Sequence, residues 1–104
     1  MKKYEIVKEN KYFNSIINTG KYNKGKYFVI YNKDSESKKF GIAVSKKYGN
    51  AVERNRIKRQ VRMILDTNKN MFKNNKDYII IVKRSAKDLS YNVLQKDIIN
   101  IIKG

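Results

Sequence analysis

The sequence predicts a single α+β domain spanning residues 1–104, a two-layer sandwich of helices packed on one small sheet. Three observations support this fold class. Apolar residues recur at helical spacing in three separate segments, two further segments alternate as strands do, and one short apolar run suits a strand covered on both faces. The length of 104 residues agrees with one domain.

The first helix is predicted over residues 9–19, and Gly20 is a plausible stop after its last turn. Its apolar residues share one helical face, and they are Tyr12, Phe13, Ile16 and Ile17. The polar stretch 21–25 is predicted to be a loop.

Residues 27–32 and 40–45 are predicted to form two strands joined by a polar turn at 33–37. In the first strand, one face carries Tyr27, Val29 and Tyr31, and the other carries Phe28 and Ile30. In the returning strand, large residues on one face alternate with small ones on the other, namely Phe40, Ile42 and Val44 against Gly41, Ala43 and Ser45. We expect the large face to join the core and the small face to leave room above the sheet.

A long helix is predicted over residues 51–68, after the loop 46–50. Asn50 suits the N-cap position, and Glu53 lies where a capping box requires an acidic residue. The predicted buried stripe follows the spacing i, i+4, i+7, i+8 and consists of Ile57, Val61, Ile64 and Leu65.

The apolar run near residues 77–83 predicts a strand, and Ser90 could cap a last helix that continues to residue 103. The predicted order is therefore α-β-β-α-β-α. The strand–helix–strand segment within residues 40–82 could form a crossover between neighbouring strands.

Charge is the strongest compositional signal, because 25 Lys and Arg residues face 9 acidic residues, for a formal net charge of +16. Such a surface repels itself, and a polyanionic partner relieves the repulsion. Nucleic acid is the first candidate partner, and an anionic membrane surface is the second.

Self-contained enzymatic chemistry is not favoured, because the chain has no Cys and no His and its carboxylates are scattered. We therefore expect no catalytic residue and no metal ligand in the protein. No apolar run approaches the roughly 20 residues of a membrane span, and the first residues lack the apolar core of a signal peptide. We expect a cytoplasmic protein.

Residues 46–62 carry the functional signal, since seven basic residues against Glu53 give a charge of +6 in 17 residues. Helical spacing places Asn55, Lys58, Arg59 and Arg62 in one row beside the apolar stripe. Arg can bind paired phosphate oxygens, and Asn55 can both donate and accept at a base edge or a 2′-hydroxyl. A plain solvated face is the alternative, but four of the five Arg residues lie within nine positions here, and Arg84 is the fifth.

The segment from Phe40 to Arg62, with Arg54-Asn55-Arg56 at its centre, resembles the signature of bacterial ribonuclease P protein subunits. The resemblance extends over almost the whole chain, although the flanks alone would be weak. It implies a fold like the second domain of ribosomal protein S5, with an unusual left-handed β-α-β crossover around the signature helix.

The family's function is implied by the same resemblance. Its protein binds a large catalytic RNA that removes the 5′ leader of precursor tRNA, and the catalytic magnesium ions are held by the RNA. The matching RNA-binding residues on the helix are Arg54, Asn55, Arg56, Lys58, Arg59 and Arg62, with Lys46, Lys47 and Asn50 supporting the same surface. Neither DNA nor a membrane is an expected partner.

The resemblance also implies a cleft between the first helix and the sheet that holds the single-stranded leader. Its matching positions are Phe13, Ile17 and Tyr31, with Val29 and Ala43 as further lining residues. Ile17 departs from the aromatic residue often found there, and a base cannot stack on it. From the residues alone, a place in the core is the better explanation of Phe13 and Ile17.

Two other functions stay open on the sequence. A ribosomal or other structured-RNA-binding protein would show the same charge pattern. A membrane-surface protein would need a basic helix whose apolar face is open to lipid, whereas the core of this domain needs that face.

Overall fold

The computed structural model describes residues 6, 7 and 10–104. Three α-helices and four strands are present there, besides short 3₁₀ turns. In chain order they are α1 (Asn10–Thr19), β1 (Lys21–Lys24), β2 (Phe28–Asp34), β3 (Phe40–Val44), α2 (Ala51–Thr67), β4 (Lys76–Val82) and α3 (Tyr91–Lys103). The predicted helices and strands are confirmed to within a few residues; residue 9 lies outside the described residues.

The predicted loop at residues 21–25 is wrong, because Lys21–Lys24 forms strand β1. This strand pairs antiparallel with β2, and the Gly25 amide closes the turn by donating to the Phe28 carbonyl at 2.8 Å. All four residues of β1 are exposed. The strand therefore depends on backbone pairing with β2 and lacks the apolar alternation by which strands are found in a sequence.

The sheet is mixed and has the strand order β1-β2-β4-β3. β2 pairs antiparallel with both neighbours, while β3 runs parallel to β4. Two parallel neighbours need a crossover connection, and α2 supplies it. The β-α-β unit expected between residues 40 and 82 is therefore confirmed.

The main core lies between the sheet and the helices α2 and α3. Alternate residues of β2, β3 and β4 form one face of the sheet and point into this core. Helix α2 contributes the predicted stripe of Ile57, Val61, Ile64 and Leu65. From α3 come Leu94, Ile98 and Ile101. The side chain of Asn68, just after α2, donates to Gln95 of α3 at 2.9 Å and so joins the two helices.

A second apolar cluster lies on the opposite face of the sheet, under α1. Val7, Ile16 and Ile79 are buried in it, and partly exposed side chains surround them. Ile79 and Ile80 are neighbours on β4 but belong to different clusters, because successive residues of a strand point to opposite faces. The expectation that β4 is covered on both faces is thus confirmed.

Candidate nucleic-acid interface

The capping box predicted at the start of α2 is present. The Asn50 side chain accepts a hydrogen bond from the Glu53 amide at 2.9 Å, and the Glu53 carboxylate accepts one from the Asn50 amide at 3.1 Å. Two amides that the helix leaves without intrahelical partners are satisfied in this way. The first turn of α2, which leads directly into Arg54-Asn55-Arg56, is therefore held in place.

The polar face of α2 lies opposite its buried stripe. Asn55, Arg56, Arg59 and Arg62 are exposed, whereas Arg54 and Lys58 are partly buried. The predicted row therefore reaches solvent through three residues, Asn55, Arg59 and Arg62, and Lys58 lies lower between them. A rigid helix presents these groups without the ordering cost that a flexible loop would incur.

Lys46 and Lys47 extend this surface towards the sheet. They occupy a short 3₁₀ turn, Lys46–Tyr48, between β3 and α2, and both are exposed. Tyr48 ends the turn and is buried in the main core. Because the tyrosine anchors the turn, the two lysines are held near the N-terminus of α2. We call the nine residues 46, 47, 50, 54, 55, 56, 58, 59 and 62 the basic surface.

The cations of the basic surface meet little opposite charge among the described residues. In the part of the chain that the structure describes, none of its seven cations forms an ion pair. Glu53, the acidic residue in this segment, pairs instead with Lys87 at 3.0 Å. The hydrogen bond from the Asn50 backbone and the contact with Lys87 lower the pKa of Glu53. Glu53 attracts Arg56 electrostatically without forming an ion pair with it, so most of the positive charge stays available to an external anion.

Arg54 has an unsatisfied donor. Its Nε atom is buried and, among the described residues, has no hydrogen-bond partner. A buried donor without a partner costs about 1–3 kcal/mol, and such groups concentrate where a ligand or a strained site explains them. The guanidinium at the centre of the basic surface is thus incompletely paired in the isolated protein.

The five residues predicted to line a cleft all lie on the sheet face under α1. Phe13, Ile17 and Tyr31 pack around the buried Ile16 and Ile79. Val29 and Ala43 are the strand partners of Ile81 in the next row of the sheet. Each of the five is partly exposed, so these side chains contribute to packing and also reach solvent.

Two contacts fix α1 over the sheet. The Tyr12 hydroxyl donates to the carboxylate of Asp77 on β4, and Lys33 of β2 donates to the Ser15 hydroxyl at 2.8 Å. Phe13 lies directly over Gly41, where an added Cβ would come within 2.8 Å of the ring. A missing side chain on β3 therefore sets how closely α1 approaches the sheet.

Tyr22 is a residue of this face that sequence reasoning missed. It is 51% exposed, and its ring centroid lies 5.2 Å from that of Tyr31. The two residues are paired across β1 and β2. Tyr22 and Lys24 alternate as the residues of a strand do, and they pair with Tyr31 and Val29 of β2. This alternation was a signal in the sequence, but the segment was assigned to a loop.

A metal site and a membrane-spanning helix are two further features that a chain of this kind could carry. Among residues 6, 7 and 10–104, no group of three or more His, Cys, Asp or Glu side chains is placed to hold a metal ion. Over the same residues, every helix is too short or too polar to cross a bilayer. The two buried carboxylates, Asp77 and Asp97, accept hydrogen bonds from the protein itself.

Solved structures of similar fold support the architecture. The RNase P protein of Staphylococcus aureus superimposes with a TM-score of 0.87 at 34% identity, covering 97% of this chain and 94% of that one. The RNase P protein from Thermotoga maritima gives a TM-score of 0.86 at 26% identity, covering 95% and 96% of the two chains. The α+β fold expected from the sequence is confirmed by these similarities.

Sequence comparison leads to the same family. A Ribonuclease P protein component of Mycoplasma capricolum is 47% identical, covering 99% of this chain and 97% of that protein. One from Bacillus cereus is 38% identical, covering 99% and 92%. The family model described as Ribonuclease P matches residues 1–104. The chain therefore belongs to the bacterial ribonuclease P protein family, as the signature around Arg54-Asn55-Arg56 predicted.

Proposed function

We propose that this protein is the RNA-binding subunit of a ribonuclease P ribonucleoprotein and helps its catalytic RNA to remove the 5′ leader of precursor tRNA. The observation that carries the proposal is the basic surface on a capped, rigid helix, where no cation forms an ion pair among the described residues. The proposed place of action is the cytoplasm.

The basic surface suits a folded RNA for chemical reasons. Three exposed Arg residues, Arg56, Arg59 and Arg62, offer planar donor pairs that match two phosphate oxygens. Asn55 is exposed beside them and can both donate and accept, as a base edge or a 2′-hydroxyl requires.

The face under α1 suits a single strand. Partly exposed aromatic rings at Phe13 and Tyr31 can stack on bases, and every base has a face on which to stack. Ile17 offers an apolar contact at the same place but no stacking surface. We therefore assign the 5′ leader to this face, with Tyr31 as the main stacking residue and with Val29 and Ala43 along the floor.

Catalysis and the magnesium ions are assigned to the RNA subunit in this proposal. The chain has neither His nor Cys. Asp77 accepts hydrogen bonds from Tyr12, Ser37 and the Lys39 amide, and Asp97 accepts two from backbone amides. Both carboxylates are thus occupied in holding the fold. The part left to the protein is to bind, orient and neutralise RNA.

Reconstitution tests the proposal. The protein alone, the RNA alone and the two together are incubated with precursor tRNA over a series of magnesium concentrations, and the released leader is measured. We expect no cleavage by the protein alone. The complex should cleave at lower magnesium than the RNA alone and should bind precursor tRNA more tightly than mature tRNA.

Two outcomes would overturn the proposal. Cleavage by the protein alone that survives nuclease treatment of the preparation would place the chemistry in the protein. An RNA whose magnesium requirement and substrate preference do not change when the protein is added would instead indicate another structured-RNA-binding role, such as a ribosomal one.

A further inference from the structure

A row of paired residues crosses all four strands on the face under α1. Tyr22 of β1 pairs with Tyr31 of β2, Tyr31 pairs with Ile79 of β4, and Ile79 pairs with Gly41 of β3. Directly paired residues project from the same face of a sheet. Tyr22 therefore lies on the face that carries the proposed leader site, at the edge of the sheet farthest from β3.

Burial in the core does not explain why an aromatic residue stands at position 22. Its side chain is half exposed, and β1 contributes no buried residue to either cluster. The contact with Tyr31, at 5.2 Å between centroids and 38° between ring planes, continues the aromatic surface from one strand to the next. The exposed part of the Tyr22 ring is available to a second flat partner.

Lys24 adds a cation on the same face. It pairs with Val29, one of the predicted floor residues, and lies two positions after Tyr22, so both side chains point the same way. Its Nζ atom lies 5.7 Å from the centroid of the Tyr22 ring. Because the ammonium lies over the ring, a stacking base would displace it towards the phosphate of that base, and the pair would then bind the base together with its phosphate.

The course of α1 leads towards this pair. Near its start Phe13 lies over Gly41 of β3, and after its end Gly20 lies against β2, where an added Cβ would come within 2.5 Å of the Asn32 carbonyl oxygen. The helix thus crosses the strands from β3 to β2, and β1 follows next in the sheet. Lys46 and Lys47 follow the last residue of β3 and so lie at the opposite edge of the sheet from β1. A strand of RNA that follows α1 away from the basic surface would therefore reach Tyr22 last.

We propose that β1 forms the distal part of the leader site, where Tyr22 stacks on a leader base beyond those at Tyr31 and Lys24 binds the adjoining phosphate. This inference rests on the proposed function and extends it. It implies that leaders long enough to reach β1 bind more tightly than shorter ones.

The test uses the reconstituted RNA–protein complex and precursor tRNAs whose leaders are shortened from the 5′ end, one nucleotide at a time. Dissociation constants are measured for the wild type, Tyr22→Ala and Tyr22→Phe. We expect Tyr22→Ala to equal the wild type on the shortest leaders. It should bind roughly 5- to 150-fold more weakly once the leader reaches β1, which is the loss expected for one stacked base. Tyr22→Phe keeps the ring and should bind like the wild type.

Two further variants make the result decisive. Val93→Ala, an exposed apolar residue of α3 on the other side of the sheet, is the matched control and should change nothing. Tyr31→Ala tests the proposed leader site itself. If Tyr31→Ala weakens binding of precursor tRNA while Tyr22→Ala has no effect at any leader length, the extension to β1 is wrong and the leader site stands.

If neither tyrosine variant binds precursor tRNA more weakly than the wild type, both the leader site and its extension are wrong. A loss for Tyr22→Ala that is equal for every leader and for mature tRNA would also overturn the extension, because Tyr22 would then act elsewhere on the RNA. Thermal melts of each variant show whether the fold is retained, and the exposure of Tyr22 predicts that it is.

Discussion

Asp77 holds together parts of the chain that are distant in sequence. It is fully buried at the start of β4 and accepts hydrogen bonds from the Tyr12 hydroxyl, the Ser37 hydroxyl at 2.8 Å and the Lys39 amide at 2.8 Å. Burial alone would raise the pKa of Asp77, but the hydrogen bonds outweigh it and the pKa is lowered. Through Tyr12, this carboxylate fixes the helix that borders the proposed leader site.

Replacing Asp77 should therefore cost stability in a pH-dependent manner. We expect Asp77→Asn to lower the free energy of unfolding by about 2–3 kcal/mol at pH 7, as for hydrogen bonds to a charged group. Because the folded-state pKa is lowered, the carboxylate stabilises the fold above its ordinary pKa of 3.8 and loses that effect as the pH falls through the folded value. The difference between variant and wild type should therefore shrink in acid.

Urea unfolding at neutral and acidic pH measures this effect. Asp34→Asn is the control, because Asp34 is exposed at the end of β2 and its ion pair with Lys76 at 3.0 Å is open to solvent. Exposed pairs contribute only about 0–1 kcal/mol. A difference for Asp77→Asn that is as large in acid as at pH 7 would contradict the ionised state.

The places of single residues on the fold were predicted where a local pattern marked them, while the RNA-binding role of the basic surface stays a prediction. The Arg and Lys residues of the basic surface could be found because their charge and helical spacing lie within 17 positions. The role of Asp77 could not be found, since Tyr12, Ser37 and Lys39 lie between 38 and 65 positions away from it. The hydrogen bonds of a buried carboxylate depend on the tertiary fold.

Among the elements, α2 and β1 show the same contrast. The start of α2 was predicted because a capping box depends on residues three positions apart, Asn50 and Glu53. β1 was missed because it has no buried residue and exists through its pairing with β2. The missed strand bears on the proposed leader site, since the exposed Tyr22 lies on it.

Asn50 has two roles that mutation can separate. The resemblance assigns it to the RNA-binding surface, while its side-chain oxygen caps α2. Asn50→Ala should lower the free energy of unfolding by about 1 kcal/mol, because the cap is lost. Asn50→Ser keeps a capping oxygen and should retain nearly all of the stability.

Thermal melts and RNA binding are measured on both variants. If Asn50→Ser keeps the wild-type melting temperature but binds the RNA more weakly, the amide contacts RNA directly. If Asn50→Ala melts like the wild type, the capping role assigned to Asn50 is wrong.

At the scale of the whole molecule, the net charge of +16 should make binding of the RNA subunit steeply dependent on salt. Each phosphate neutralised contributes a slope of about −0.9 on duplex or −0.7 on single strands to the logarithm of affinity against the logarithm of salt concentration. We expect Arg59→Ala and Arg62→Ala each to reduce the slope by about one such contribution and to leave the fold intact, because both residues are exposed.

Titrations at several salt concentrations test this expectation. Lys96→Ala removes the same charge from an exposed position on α3, away from the basic surface, and is the matched control. If the two Arg variants and the Lys96 variant change affinity equally, the basic surface contributes general charge and has no placed contacts.

The apolar residues form two clusters on opposite faces of the sheet, so stability and the proposed leader binding depend largely on different side chains. Leu94 and Ile98 of α3 pack on one side of the sheet, while Phe13 and Tyr31 lie on the other. Substitutions at Leu94 and Ile98 should therefore shift the melting temperature while the packing of Phe13 and Tyr31 is retained. Bacteria that grow at different temperatures could adjust the thermal tolerance of this protein through α3 and keep the same substrate preference.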